Sequence, residues 1–284
     1  MLSPEPTDDW SNHAQDYQRL FAPLTGYIGR SMVRVIERRL PANPRILDVA
    51  CGPGHLAVAV GISLLEAGQG GGRVLALDRS PAMVGMVEQA VAREGLKPLV
   101  DCVAGDGELL EFEDHTFDAV FSCFGIFLFA DRAAGWREAA RVLRPGGYFV
   151  TSVWRGLEDN ELARIQAEAL QASLPARIRE ARPGPDWEGL LTREGLSQEV
   201  SGEAPFVDLE VRELAATLVL ASPADLWRGM QGNPVTGRLL RECTPAEFAR
   251  VERAVLARLE DQAGGMDAPV FLPTSCHILS ARRG

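Results

Sequence analysis

Three carboxylates stand at positions where they can hold a ligand. Asp48 lies near the end of the apolar run Arg45-Ile-Leu-Asp-Val-Ala50, directly before Cys51-Gly52-Pro53-Gly54-His55. Asp78 ends the run Arg73-Val-Leu-Ala-Leu-Asp78, and Asp106 sits in Gly105-Asp106-Gly107 after a third apolar run, Leu99–Ala104. Gly52-Pro53-Gly54-His55-Leu56-Ala57 fits the G-x-G-x-x-[GA] fingerprint of nucleotide-binding loops. Glycines at such a place let the chain turn tightly and let a ligand approach the backbone, although an ordinary strand-to-helix turn can show the same residues. A carboxylate at the position of Asp78 can accept both hydroxyls of a ribose, a feature shared with nicotinamide enzymes. Asp106 can accept the amino group of an adenine or serve as a turn residue. Asp48 discriminates. In a dinucleotide enzyme an acid there would sit near the pyrophosphate, whereas a ligand with a cationic end would welcome it.

The elements around these residues predict the frame that positions them. The runs 45–50 and 73–78 read as buried strands, 99–104 as a third, Phe117–Ser122 as a fourth and Tyr148–Trp154 as a fifth. Helices are predicted from about Gly54 to Glu66, from Pro81 onward behind the N-cap Ser80, and over Arg132–Leu143. Pro145-Gly146-Gly147 turns the last of these into strand five. Strands alternating with helices imply a parallel, doubly wound sheet with ligands at the carboxyl ends of its strands, where all three acids lie.

The flanks are less regular. Residues 1–12 are rich in Pro and Asp and are expected to fray. From His13 to Leu40 the apolar spacing is helical, with Gly26 and Gly29 marking a break between two helices. Residues 158–182 read as helix and 206–220 as one or two strands. Ser222-Pro-Ala-Asp225 and Thr244-Pro-Ala-Glu247 read as helix starts, the second a capping box opening an amphipathic helix over 245–262; Val270–Arg282 reads as a final strand.

Composition narrows the classes. The chain has 284 residues, 46% hydrophobic and 24% charged, enough to bury a core. A net charge of -10 repels phosphate backbones, and Arg38-Arg39 and Arg282-Arg283 are pairs rather than a basic patch, so no nucleic-acid partner is expected. The acidic start MLSPEPTDDW has no apolar run, and no stretch approaches the roughly 18 apolar residues of a membrane span, so a cytoplasmic protein is expected. Five cysteines without CxxC spacing give neither a zinc signature nor a disulfide framework, and no metal is expected.

Five segments together resemble class I S-adenosylmethionine-dependent methyltransferases, particularly the branch like the ubiquinone/menaquinone-biosynthesis enzymes and related small-molecule methyltransferases. They are Ile46-Leu-Asp-Val-Ala-Cys-Gly-Pro-Gly54, Leu77-Asp-Arg-Ser-Pro-Ala-Met83, Gly105-Asp-Gly-Glu-Leu-Leu110, Phe117-Asp-Ala-Val-Phe-Ser122 and Arg141-Val-Leu-Arg-Pro-Gly-Gly147. Their order and spacing match over about residues 45–154, and the last is not expected in dehydrogenases.

The resemblance implies an α/β, doubly wound, Rossmann-like, mostly parallel seven-stranded sheet in a single domain over 1–284. A helical lid over 1–40, a cofactor core over 41–154, helical insertions at 155–204 and 221–268 around the acceptor, and C-terminal strands at 205–220 and 269–284 would complete it. It implies S-adenosylmethionine as cofactor, S-adenosylhomocysteine as product and a small organic acceptor.

By the same resemblance Asp48, Gly52 and Gly54 line the methionine and ribose side, Asp78 binds the ribose hydroxyls, Met83 packs near the adenine, Asp106 and Gly107 hold the adenine edge, and Ala50, Cys51 and Arg79 belong to the cofactor-binding set. Ser122, Cys123 and Phe124 lie beside the methyl, and Tyr17 lies in a helix that covers the cofactor. Ala50 stands where the family usually has its first glycine, a mild change of one methyl. The competing readings are a nicotinamide-dependent oxidoreductase built on the same glycines and a non-catalytic protein that only binds the cofactor.

A sulfonium-bound methyl is strongly electrophilic, so the protein must mainly align the acceptor and exclude water, and a base is optional. His13, His55, His115 and His277 each have a plainer reading as a lid, cap, turn or core residue, and no catalytic base is named. Cys51 and Cys123 read as small buried side chains rather than redox groups. Trp10, Phe21, Phe124, Phe127, Phe129, Trp154, Trp187 and Trp227 form a pool of apolar walls for an uncharged acceptor.

Overall fold

A computed structural model describes residues 9–181 and 187–284. Residues 1–8 of the segment expected to fray and residue 182 of the expected helical stretch lie outside the described residues. The chain divides into two compact units. One comprises Thr25–Trp154, Glu188–Leu214 and Cys276–Gly284; the other comprises the described residues up to Leu24, those within 155–187, and Ala215–Ser275.

The first unit carries the sheet. Its strands are β1 (Arg45–Val49), β2 (Arg73–Asp78), β3 (Val100–Ala104), β4 (Phe117–Cys123) and β5 (Leu143–Trp154), joined by β6 (Phe206–Leu220) and β7 (Val270–Arg283), which also run into the second unit. The seven strands lie in the order β3-β2-β1-β4-β5-β7-β6. β1 pairs in parallel with β2 and β4, β2 with β3, and β4 with β5, while β7 is antiparallel to β5. The fold is therefore the expected Rossmann-like, mostly parallel seven-stranded sheet. Reversal of strand order beside β1 puts a crevice at the carboxyl ends of β1 and β4, where such sheets bind ligands.

The sequence explains the frame. β1 is covered on both faces, so Ile46, Leu47 and Val49 are buried, and Asp48 is the polar anomaly among them. Helix α3 (His55–Glu66) follows the glycines, and α4 (Pro81–Arg93) opens as predicted: Ser80 Oγ accepts the Met83 N–H at 3.2 Å with Pro81 behind it. Asp131 caps α5 (Arg132–Val142) by accepting the Ala134 N–H at 2.9 Å. Strand five begins earlier than Tyr148. Leu143 already pairs with Phe117, and the Pro-Gly-Gly turn is a bulge inside the strand before Tyr148 pairs with Ala119.

The N-terminal expectation needs correction. Helix α1 (Asp9–Leu20) starts four residues before His13, and the break before α2 (Ala22–Ile36) falls at Phe21. Gly26 and Gly29 lie inside α2. A Cβ on Gly26 would stand 3.3 Å from the His55 side chain, and one on Gly29 3.2 Å from Leu56 Cβ. These glycines let α2 approach α3 closely rather than ending a helix.

In the second unit, α6 (Glu161–Ser173) is joined to α11 (Pro245–Ala263) by the Arg250 Nε–H, which donates to the Ser173 carbonyl at 3.1 Å. Arg177, in α7 (Ala176–Ala181), pairs with Glu247 at 2.7 Å. The capping box at Thr244 is complete. Ser222 precedes α9 (Pro223–Gly232) without a side-chain cap bond, and Asp225 in that helix receives Arg19 at 3.1 Å and Arg228 at 2.9 Å. α8 (Arg193–Glu203) belongs to the first unit, and α10 (Pro234–Arg241) to the second.

Candidate cofactor site at the carboxyl ends of the strands

The first loop leaves β1 through three residues in the left-handed region: Ala50 at φ 55°, Gly52 at 53° and Gly54 at 85°. Glycine adopts this conformation without strain. Alanine does not, so the methyl at Ala50 is a backbone strain rather than a mild change. The Cys51 N–H donates to Leu77 O at 3.0 Å, and the Gly52 N–H to Asp78 Oδ2 at 2.8 Å. The Ser80 N–H takes the other oxygen, Asp78 Oδ1, at 2.9 Å. Asp78 thus ties the glycine loop to the end of β2. Burial pushes its carboxyl above the usual range, while those two amides oppose the shift.

Asp48 is fully buried, and among the described residues neither carboxylate oxygen makes a well-formed hydrogen bond, the backbone of Ala57 giving only a weak opposing contact. Burial pushes its pKa well above the ordinary 3.8, the charge of Asp78 pushes the same way, and the backbone of Ala57 in the first turn of α3 opposes. A buried acid without a donor is costly in an empty protein. A cationic ligand group would supply what it lacks, and the ammonium and sulfonium of S-adenosylmethionine are cations, so the residues present fit that cofactor. Cys51 beside it is held as a thiol, first by burial and then by the charges of Asp48 and Asp78, which removes it as a nucleophile.

At the exit of β3, Asp106 Oδ1 accepts the Glu108 N–H at 2.9 Å, the turn role weighed from sequence, while Oδ2 lies 3.3 Å from Arg79 Nη2. Both side chains of that pair are well exposed and reachable by a ligand. Gly107 is sterically required. A Cβ there would stand 2.5 Å from Phe129 Cζ and 2.8 Å from Val49 Cγ1. Glu108 accepts the Ala130 N–H at 2.8 Å and the Asp131 N–H at 3.3 Å, binding this loop to the one that follows β4.

Arg141 fastens the rest of the loop. It donates to Leu110 O at 2.8 Å and to Phe112 O at 2.7 Å, and it pairs with Asp114 at 2.8 Å and Glu138 at 2.7 Å. Glu138, held below the usual carboxylate range chiefly by Arg141, also accepts the Leu110 N–H at 2.8 Å.

At the exit of β4, Ser122 is fully buried and its Oγ accepts the Ile126 N–H at 3.1 Å. Cys123 is 3.7 Å from both Thr25 O and Ser152 Oγ, and burial pushes its pKa up. Phe124 is left-handed at φ 55°, and its ring stacks on Trp154 with centroids 3.9 Å apart and 17° between planes. Met83 is buried in α4 and packs as a core residue. Tyr17 lies in the other unit, against Trp10 and Phe21 at ring distances of 5.8 and 5.9 Å.

The structure therefore brings Asp48, Ala50, Cys51, Gly52, Gly54, Asp78, Arg79, Asp106, Gly107, Ser122, Cys123 and Phe124 to one end of one sheet. His55 packs on Gly26, with its pKa lowered by burial and then by Arg30 and Arg93. Glu108, Glu138 and Ser152 were not singled out from sequence. Glu108 sits inside a quoted motif, but its partners come from a different loop, and Ser152 is one unremarkable residue of a strand.

An open parallel sheet with glycines after β1 and an acid ending β2 defines the Rossmann-like class, and the unpartnered Asp48 points within it to a cationic adenosyl ligand. A family described as "Methyltransferase domain" matches residues 47–151. A demethylmenaquinone methyltransferase of Mycolicibacterium vanbaalenii is 32% identical over 198 residues, covering 69% of this chain and 76% of that protein. One from Corynebacterium kroppenstedtii is 34% identical over 154 residues, 54% of this chain and 61% of its own length. A ubiquinone/menaquinone biosynthesis C-methyltransferase of Bartonella tribocorum is 34% identical over 135 residues, 48% of this chain and 50% of that one. The chain thus spans from half to about three quarters of the length of these relatives.

Among solved structures, the YcgJ protein of Bacillus subtilis superposes with a TM-score of 0.54 at 17% identity, covering 89% of this chain and 97% of that one. The [4+2]-cyclase SpnF does so at 0.51 and 20%, covering 90% and 80%. These two likenesses show the fold alone. On the sequence relationships, the chain belongs to the class I S-adenosylmethionine-dependent methyltransferases, in the branch of the ubiquinone/menaquinone methyltransferases, and its cofactor is S-adenosylmethionine.

Proposed function

We propose that this protein transfers the methyl group of S-adenosylmethionine to a small, mainly uncharged organic acceptor. The observation that carries the reading is Asp48, a fully buried carboxylate directly before the glycine loop that makes no well-formed hydrogen bond among the described residues. When bound, the cofactor supplies an electrophilic methyl on a sulfonium. Asp48 receives the cationic methionine end, and Gly52 and Gly54 admit it close to the backbone. Asp78, already fixed by two amides, offers its remaining lone pairs to the ribose hydroxyls. Asp106 and Gly107, with Arg79 beside them, hold the adenine edge. Ser122, Cys123 and Phe124 lie at the methyl end.

Burial pushes the pKa of the Cys51 and Cys123 thiols up, which suits a site whose task is alignment and exclusion of water. Phe124 stacked on Trp154 supports an apolar, ring-bearing acceptor. The names of the curated relatives support testing a demethylmenaquinol first. Acceptor choice is proposed to lie with the N-terminal helices and the insertions at 155–204 and 221–268, a reading supported by a family match confined to residues 47–151. Among the described residues no helix is long and apolar enough to cross a membrane. A cytoplasmic location without nucleic-acid partners is part of the proposal, supported by the net charge of -10.

The test is incubation of the protein with methyl-labelled S-adenosylmethionine and a short-chain demethylmenaquinol. Menaquinol carrying the label supports the reading. Cofactor binding without labelling of this acceptor or of a panel of uncharged metabolites would overturn the acceptor class, and an absence of cofactor binding would overturn the whole.

A further inference from the structure

We propose that Ser152, together with Ser122, is a positioning residue that presets an aromatic wall made of Phe124 and Trp154 at the methyl end of the site. The wall's place beside the methyl rests on the reading under Proposed function; the clamp itself rests on geometry. Phe124 is the first residue beyond β4 and takes the left-handed conformation at φ 55°, which is uncommon for a bulky side chain and needs surrounding structure to hold it. Its N–H has left the β-ladder and donates instead to Ser152 Oγ at 3.1 Å. Two residues on, the Ile126 N–H donates to Ser122 Oγ, also at 3.1 Å. Both serines are fully buried, so neither amide has water as a substitute.

The pairing of the two strands makes the clamp specific. Ser152 stands opposite Cys123, and its hydroxyl also lies 3.7 Å from the Cys123 sulfur. Residues two apart on a strand share a face, so Ser152 and Trp154 project to the same side of β5. One strand face thus supplies both the oxygen that holds the Phe124 backbone and the ring that stacks on its side chain at 3.9 Å. Between the two clamped amides, Gly125 closes onto the cofactor loop. A Cβ there would lie 2.6 Å from Ala50 Cβ and 3.1 Å from Val49 O. The clamp therefore fixes the aromatic wall against the strained residue of the glycine loop before an acceptor arrives.

The experiment uses the full-length protein labelled with 5-fluorotryptophan. Five tryptophans give five fluorine resonances, and Trp154→Phe assigns the one that matters. Phe124→Gly supplies the reference for an unstacked Trp154 while keeping a residue that tolerates the left-handed backbone. Ser152→Ala is expected to move or split the Trp154 resonance toward that reference, leave the other four in place, and keep affinity for S-adenosylhomocysteine within about threefold of wild type. Ser152→Cys keeps the size and weakens the acceptor, and should show part of the same displacement; it decides the matter if the alanine variant does not fold. A Trp154 resonance unchanged in the folded variants would overturn the clamp. So would equal displacement of all five resonances. Titration of wild type with S-adenosylhomocysteine tests the cofactor site separately, so failure of that site and failure of the clamp are distinguishable.

Discussion

Asp48→Asn should make the protein more stable and a worse binder at once. Asn keeps the shape and removes the ability to carry charge. Because burial raises the Asp48 pKa above its ordinary 3.8, its contribution to folding is fully present below that ordinary value and is lost as pH rises through the raised one. Wild-type and variant apo proteins should therefore melt alike near pH 3, and the variant should melt higher near neutrality, by an amount that grows with pH until Asp48 is ionised. Binding runs the other way. A ligand ammonium favours the ionised carboxylate, and removing one partner of a buried charge pair costs about 2–5 kcal/mol. Taking about 3 kcal/mol, affinity for S-adenosylhomocysteine falls roughly 150-fold.

Proton release accompanies binding to the wild type. Its affinity should then rise with pH by up to about tenfold per unit while Asp48 is protonated in the free protein, and the variant should lose that slope. Calorimetric titrations in two buffers of different ionisation enthalpy read the proton directly. Unchanged affinity in Asp48→Asn, or an apo variant less stable than wild type near neutrality, would refute the reasoning.

Two further substitutions probe the loops. Ala50→Gly relieves a left-handed alanine at φ 55° and should raise stability by about 1 kcal/mol, read as a higher denaturation midpoint with unchanged slope; a lower midpoint would contradict the strain. Gly107→Ala places a Cβ 2.5 Å from Phe129 Cζ and should cost about 1–3 kcal/mol while weakening S-adenosylhomocysteine, and a neutral outcome would show that the loop after β3 yields freely.

The sheet was legible because burial on both faces writes continuous apolar runs, as in Arg45–Val49 and Arg73–Asp78, and because Ser80-Pro81 and Thr244-Pro-Ala-Glu247 are capping chemistry contained in four residues. The three acids were legible for a similar reason, each standing at the end of such a run. Gly26 and Gly29 misled, since a glycine that admits a neighbouring helix and a glycine that ends a helix are the same letter, and only the position of His55 and Leu56 separates them. The mildness expected of Ala50 failed on a dihedral angle, which no residue type states. Glu108, Glu138 and Ser152 act through partners in other loops, at sequence separations of 22 to 28 residues, and such partners exist only once the sheet has formed.

The central claim is an adenosyl site made by the glycine loop and the acids at the ends of β1, β2 and β3. Calorimetric titration of wild type and of Asp78→Ala with S-adenosylmethionine, S-adenosylhomocysteine and NADH tests it most directly. Both sulfur ligands should bind the wild type and NADH should not, and Asp78→Ala should weaken both by tenfold or more, about 1.4 kcal/mol at least. Binding of NADH in preference to the sulfur ligands, or affinity unmoved by Asp78→Ala, would contradict it.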